Sequence, residues 1–163
     1  DVEYVVVDTA TKLWLMSRNA LRERIQDTVP KEQQGDRLKR LEYEAPNSEF
    51  HAIVEAAKAA KKNLVFVAHE GEVWLGGEPT GRPKPDGWSE IQDEADVILR
   101  FTIKERRPVG TLKKGDLDLV DKEIREPTMA GIEALLEAAN KIRKAGGSVP
   151  ENPEMVIQTA MFA

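Results

Sequence analysis

The stretch Tyr4-Val5-Val6-Val7-Asp8-Thr9 decides how the rest of the chain is read. Four apolar or aromatic residues in a row, ending abruptly in a carboxylate and a hydroxyl, make the pattern of a strand covered on both faces, as in a parallel sheet. A parallel neighbour requires a long crossover, usually helical. From Lys12 to Asp27 the residues Leu13, Met16, Ala20, Leu21 and Ile25 recur at helical spacing, and Pro30 follows soon after. Residues 28–46 hold Gly35, Pro46 and many charges without a clean period, which reads as a long loop with room for a short charged helix. A second helix is predicted next, capped by Asn47 or Ser48, with Phe50, Ile53, Val54, Ala57 and Ala60 on one face and Lys61-Lys62 at its end. Leu64-Val65-Phe66-Val67-Ala68 then repeats the buried-strand pattern and ends in His69-Glu70. Two such strands joined by helices indicate an α/β fold, a mostly parallel sheet flanked by helices with a right-handed crossover.

Beyond His69 the signals change. Residues 71–88 contain Gly71, Gly76, Gly77, Gly81 and Gly87 with Pro79, Pro83 and Pro85 between them, and read as a long mobile loop. Ala95 to Ile103 reads as a strand, and Pro108 to Lys113 and Leu117 to Ile124 as short antiparallel edge strands. Pro127-Thr128 opens a last helix lined by Met129, Ile132, Leu135, Leu136, Ala139 and Ile142 and stopped by Gly146-Gly147. Met155-Val156-Ile157 reads as one more edge strand.

Composition narrows the class. The 163 residues suit a single domain over 1–163, and 24 Lys+Arg against 29 Asp+Glu leave a formal charge of −5. The absence of Cys removes disulfides, thiolate metal sites and Cys nucleophiles, and suits a reducing cytosol, so a cytoplasmic location is expected. No apolar run approaches the roughly 18 residues of a membrane span. Mild acidity argues against a bulk nucleic-acid surface but leaves room for a local basic patch.

In an open parallel sheet, ligands bind beyond the carboxyl ends of the strands. Asp8 and His69 occupy that position, and an Asp followed by a hydroxyl suits Mg²⁺ held through water beside phosphates. The same Asp serves equally well to cap the next helix, and a lone strand-end His is more often structural. Other chemistries find less support. His69-Glu70 begins like a zinc-protease motif, but Val73 stands where its second His belongs. There is no G-x-S-x-G elbow. Gly76 to Arg82 has the glycine spacing of a phosphate loop with Arg82 in place of Lys and Pro83 in place of Ser/Thr, and reads as a plain loop. Asp93, Glu94 and Asp96, like Lys104, Arg106 and Arg107, read as solvated charges.

The order YVVVDTATKLW (4–14), NLVFVAHEGEVW (63–74), EADVILRFTIK (94–104) and REPTMAGIEAL (125–135) resembles the later part of a RecA-like P-loop ATPase core of the phage recombination and single-strand-annealing type. The resemblance implies an N-terminally incomplete core, ATP and Mg²⁺ as cofactors, single-stranded DNA as a partner and a homo-oligomer. In it Asp8 looks like the Walker B aspartate that holds the metal, Thr9 the small hydroxyl residue beside it, and His69 the γ-phosphate sensor, often Gln. Residues 71–88 match a DNA-binding loop, where Trp74, Arg82, Lys84 and Trp88 have the chemistry for stacking and phosphate contact. Lys113 and Lys114 fall near the place where such proteins reach into a neighbouring subunit's nucleotide site. No G-x-x-x-x-G-K-[ST] occurs in the chain, so the resemblance implies an ATPase only with that segment supplied upstream of Asp1. Two other readings stay open: a non-catalytic α/β binding or assembly module, and an unrelated doubly wound small-molecule enzyme.

Overall fold

The structure, a computed structural model, describes residues 3–30, 43–116 and 118–161. The chain divides into two compact units, Asp1–Ile91 and Gln92–Ala163.

In the first unit β1 (Tyr4–Asp8) pairs in parallel with β2 (Asn63–Val67), from Tyr4 opposite Asn63 to Asp8 opposite Val67. The crossover holds α1 (Ala10–Thr28) and α2 (Glu44–Ala59). Part of the expected 28–46 loop, residues 31–42, lies outside the described residues. Neither Asn47 nor Ser48 caps α2, because the helix starts earlier, at Glu44. Pro46 is accommodated in its first turn, where a missing N–H forfeits no helical bond, and the Ser48 hydroxyl donates to the Glu44 carbonyl at 2.8 Å. Phe50 and Val54 of α2 meet Ala10, Trp88 and Ile91 in a core joined by Val7, Trp14, Leu64 and Phe66. Val6 and Val67 remain exposed.

The expected loop at 71–88 is instead a hairpin of β3 (Glu70–Leu75) and β4 (Glu78–Pro85). Gly76 and Gly77 form its turn with φ of 61° and 90°. Positive φ at both central residues is the two-residue turn whose twist suits a hairpin, and glycine adopts it without strain. The prolines of β4 fit the ladder. Asp86 donates its N–H inward to the His69 carbonyl at 2.8 Å, so alternation turns the nitrogens of Pro85 and Pro83 outward, where no donor is needed.

The second unit holds an antiparallel sheet of β5 (Ile98–Lys104), β6 (Arg107–Lys114) and β7 (Glu123–Arg125), in that order. Parallel pairing is therefore confined to β1 and β2 among the described residues, which corrects the expectation of a mostly parallel sheet. The reason is connection length, since two-residue turns at Gly76-Gly77 and Glu105-Arg106 permit only antiparallel neighbours. The strand expected over Leu117 to Ile124 shrinks to β7 because residues 118–121 form a turn.

Helix α4 (Met129–Lys144) begins where the Thr128 hydroxyl accepts from Gly131 N at 3.1 Å and is followed by Gly146 at φ 78°. Met155, Val156 and Ile157 lie not in an edge strand but in α5 (Pro153–Ala160). The Asn152 side chain accepts from Glu154 N at 3.0 Å, and Pro153 suits a first helical position. Val156 and Ala160, four apart, share one core with Leu112, Leu119, Leu135, Ala139 and Ile142. Each large aliphatic side chain fully buried there contributes roughly 1.5–3 kcal/mol. Arg143 of α4 reaches Asp116 and, through Nε at 3.0 Å, Asp118. The hydrogen bond to Asp116, then that to Asp118, raises the guanidinium above its already high ordinary range.

Candidate nucleotide and nucleic-acid site

Asp8 closes β1, and the chain turns at once into α1 through Thr9, whose side chain accepts from Lys12 N at 3.2 Å. The capping expectation of the sequence therefore falls on Thr9. The Asp8–Thr9 peptide is cis. Among the described residues the exposed Asp8 carboxylate makes no hydrogen bond or ion pair. Because Asp8 sits opposite Val67 in a parallel ladder, His69, two residues further, follows the same carboxyl end of the sheet. The sequence reading of a shared rim thus has its backbone basis.

The rim is tied to the hairpin by a residue that sequence reasoning missed. Thr11, in the first turn of α1 and 2% exposed, accepts from His69 N at 3.0 Å and donates to the Asp86 carbonyl at 2.8 Å. Gly87 passes so close that a Cβ on it would lie 3.2 Å from Thr11 Cα, and its φ of 114° suits glycine alone. The signal in the sequence was slight: a second hydroxyl residue in Asp8-Thr9-Ala10-Thr11.

The candidate nucleic-acid residues separate. Trp74 lies near the hairpin tip, 63% exposed, opposite Pro79. Lys84 pairs with Gly71, nearer the root than Trp74, and Arg82, two residues before it, is likewise exposed. Trp88 is not on the hairpin. At 1% exposure it packs against Phe50 at 5.4 Å, Phe66 at 6.4 Å and edge-on to His51 at 5.0 Å, between ring centroids. A ring enclosed in this way has no face left for a base, which corrects its assignment. His51 is held in turn by Glu90 at 2.6 Å.

Lys113 and Lys114 lie in the second unit and are engaged there. The Lys113 ammonium pairs with Asp121 at 2.6 Å. That of Lys114 donates to the Gln92 and Asp93 carbonyls, each at 2.9 Å.

The donor set fits one metal better than others. Among the described residues no three His, Cys, Asp or Glu cluster as a cage. A single open carboxylate suits Mg²⁺, which keeps most of its water and takes one or two protein ligands. The Walker A loop that grips the phosphates in such sites has no counterpart, since no G-x-x-x-x-G-K-[ST] occurs in the chain.

A parallel strand pair joined by a helical crossover, with Asp8 and His69 at its carboxyl end, is an α/β arrangement in which ligands bind beyond those strand ends. A model of the AAA domain family matches residues 1–130, and the chain belongs to that family. Such domains are of the P-loop ATPase type and generally bind ATP with Mg²⁺. No curated protein and no solved structure matches the chain. No helix among the described residues is long and apolar enough to cross a membrane.

Proposed function

We propose that the chain carries the Walker B side of an ATP site in a RecA-like core of the phage type, acting in DNA recombination or annealing in the cytosol as a homo-oligomer on single-stranded DNA. The observation that carries this reading is the parallel pairing of β1 with β2, which brings Asp8 and His69 to one end of the sheet beside the hairpin root.

Bound Mg²⁺·ATP supplies a phosphoryl group whose transfer to water depends on positioning and charge stabilisation. Asp8 would hold the ion through its waters. The Thr9 oxygen already accepts from Lys12, which leaves its proton free to donate to a phosphate oxygen. His69 would offer an imidazole to the terminal phosphate or the attacking water. Trp74 would stack on a base while Arg82 and Lys84 meet the backbone. Lys113 and Lys114 would exchange their internal partners for a neighbouring subunit's nucleotide.

The missing phosphate loop favours a second reading, a non-catalytic α/β binding or assembly module, and this chain alone is not expected to hydrolyse ATP. ATP turnover by the full-length protein, with and without single-stranded DNA, separates the two. Asp8→Ala should lower turnover by about 10²-fold or more, the scale of losing a group that stabilises transferring charge. Equal turnover in the variant removes Asp8 from the mechanism. Absence of any Mg²⁺·ATP binding in the wild type selects the assembly module.

A further inference from the structure

The hairpin leaves the first unit at His69 and returns at Asp86, and one hydroxyl bonds both places. Thr11, itself buried, gives its single proton to the Asp86 carbonyl and a lone pair to the His69 amide, so the hydroxyl both donates and accepts at the root. Past this root little braces the ribbon: Trp74 to Lys84 are exposed throughout. The strand from Glu70 to Leu75 extends about 17 Å at a rise of about 3.4 Å per residue. Any rotation permitted at the root is therefore magnified at the tip.

We propose that Thr11 is a positioning residue, whose hydroxyl locks the hairpin root to the turn that follows Asp8 and so holds the Trp74 tip at a set angle for nucleic acid. The nucleic-acid clause rests on the function proposed above; the lock itself does not. Thr11 touches no ligand. It acts through His69 and Asp86, and it lies three residues from Asp8, so the site at the rim and the contact at the tip share one anchor.

The test uses the full chain, with Thr11→Val removing the hydroxyl at constant shape and Thr11→Ser keeping it. Amide hydrogen exchange is compared between the hairpin and the strands β1 and β2, and binding of a fluorescein-labelled oligo(dT) is measured by anisotropy. In Thr11→Val the hairpin amides should exchange at least ~10-fold faster, the scale of a lost buried hydrogen bond, while β1 and β2 amides keep their rates. Oligo(dT) should bind about 10-fold more weakly to this variant, and Thr11→Ser should restore both readouts.

Unchanged hairpin exchange in Thr11→Val overturns the proposal whatever the oligonucleotide does. Faster exchange with unchanged oligo(dT) affinity also overturns it, because the hydroxyl is then structural alone. If the wild type binds no oligo(dT) while the exchange result holds, the lock stands and the nucleic-acid reading fails. Should Thr11→Val not fold, the wild-type His69 amide decides. Protection equal to β2 supports the lock, and exchange as fast as the exposed β4 amides refutes it.

Discussion

Truncating Trp88 to Ala distinguishes a core plug from a base-stacking residue. The indole fills the space between α2 and the parallel strands, with Phe50 at 5.4 Å and Phe66 at 6.4 Å, and is 1% exposed. A Trp→Ala change in such a core costs about 3–5 kcal/mol, the sum of lost transfer energy and the cavity left behind. One term opposes this. The buried Trp88 Nε1 has no hydrogen-bond partner among the described residues, and an orphaned donor costs about 1–3 kcal/mol while present. The expected net loss is therefore about 2 kcal/mol, below the usual range. Trp88→Phe keeps an aromatic ring and deletes the orphaned N–H, so loss of contact and relief nearly cancel, within about 1 kcal/mol. Urea unfolding followed by far-UV circular dichroism reads both values, and oligo(dT) anisotropy runs beside it. Trp88→Phe should bind the oligonucleotide like wild type, whereas Trp74→Ala should lose about 1–3 kcal/mol for a stacked base. If Trp88→Phe abolished binding with its stability intact, the plug assignment would be refuted.

Gly87→Ala should destabilise the first unit by more than ~1 kcal/mol, seen as a lower urea midpoint, because a methyl must enter at φ 114° against Thr11 Cα. In the second unit the β5–β6 turn places Glu105 and Arg106 at φ 50° and 65°. Replacing the pair by Asn-Gly should stabilise by about 1–2 kcal/mol in the same assay, since a type I′ turn asks for those residues. Arg143→Gln should lower the urea midpoint as well, because Asp116, with only 6% of its side chain exposed, loses its cation. The guanidinium's proton affinity is raised in the fold, so its contribution is complete below its unfolded value and is lost only as pH rises through the folded one. Titration of Arg143 therefore adds no pH dependence to stability near neutrality.

Strands β1 and β2 and helices α1 and α4 were legible because their information is local: continuous apolar runs, helical spacing, and Thr128 and Gly146 as boundaries. The hairpin escapes a reading by composition, because its glycines and prolines mark a loop until their positions are considered. Gly76-Gly77 between Trp74-Leu75 and Glu78 is a turn signal, and prolines two apart, Pro83 and Pro85, fall on one side of a strand. Helix α5 is ambiguous in sequence, because the three apolar residues Met155-Val156-Ile157 suit a strand as well as the start signal Asn152-Pro153-Glu154 suits a helix. At the site, the common end of Asp8 and His69 followed from parallel pairing. Trp74 and Trp88 could not be told apart, since the same ring serves a plug and a stacking platform. Thr11 was invisible for a deeper reason: its partners are 58 and 75 residues away.

The outward nitrogens of the β4 prolines also bear on solubility. A ribbon that carries Trp74 and Leu75 exposed at its tip offers a sticky surface, and the free side of a strand ordinarily offers amide donors for a neighbouring chain to dock on. With proline at 83 and 85 those donors are missing at two successive outward positions, so a second copy cannot zip along this edge. The β4 edge of the hairpin is thus closed to β-aggregation beside its apolar tip.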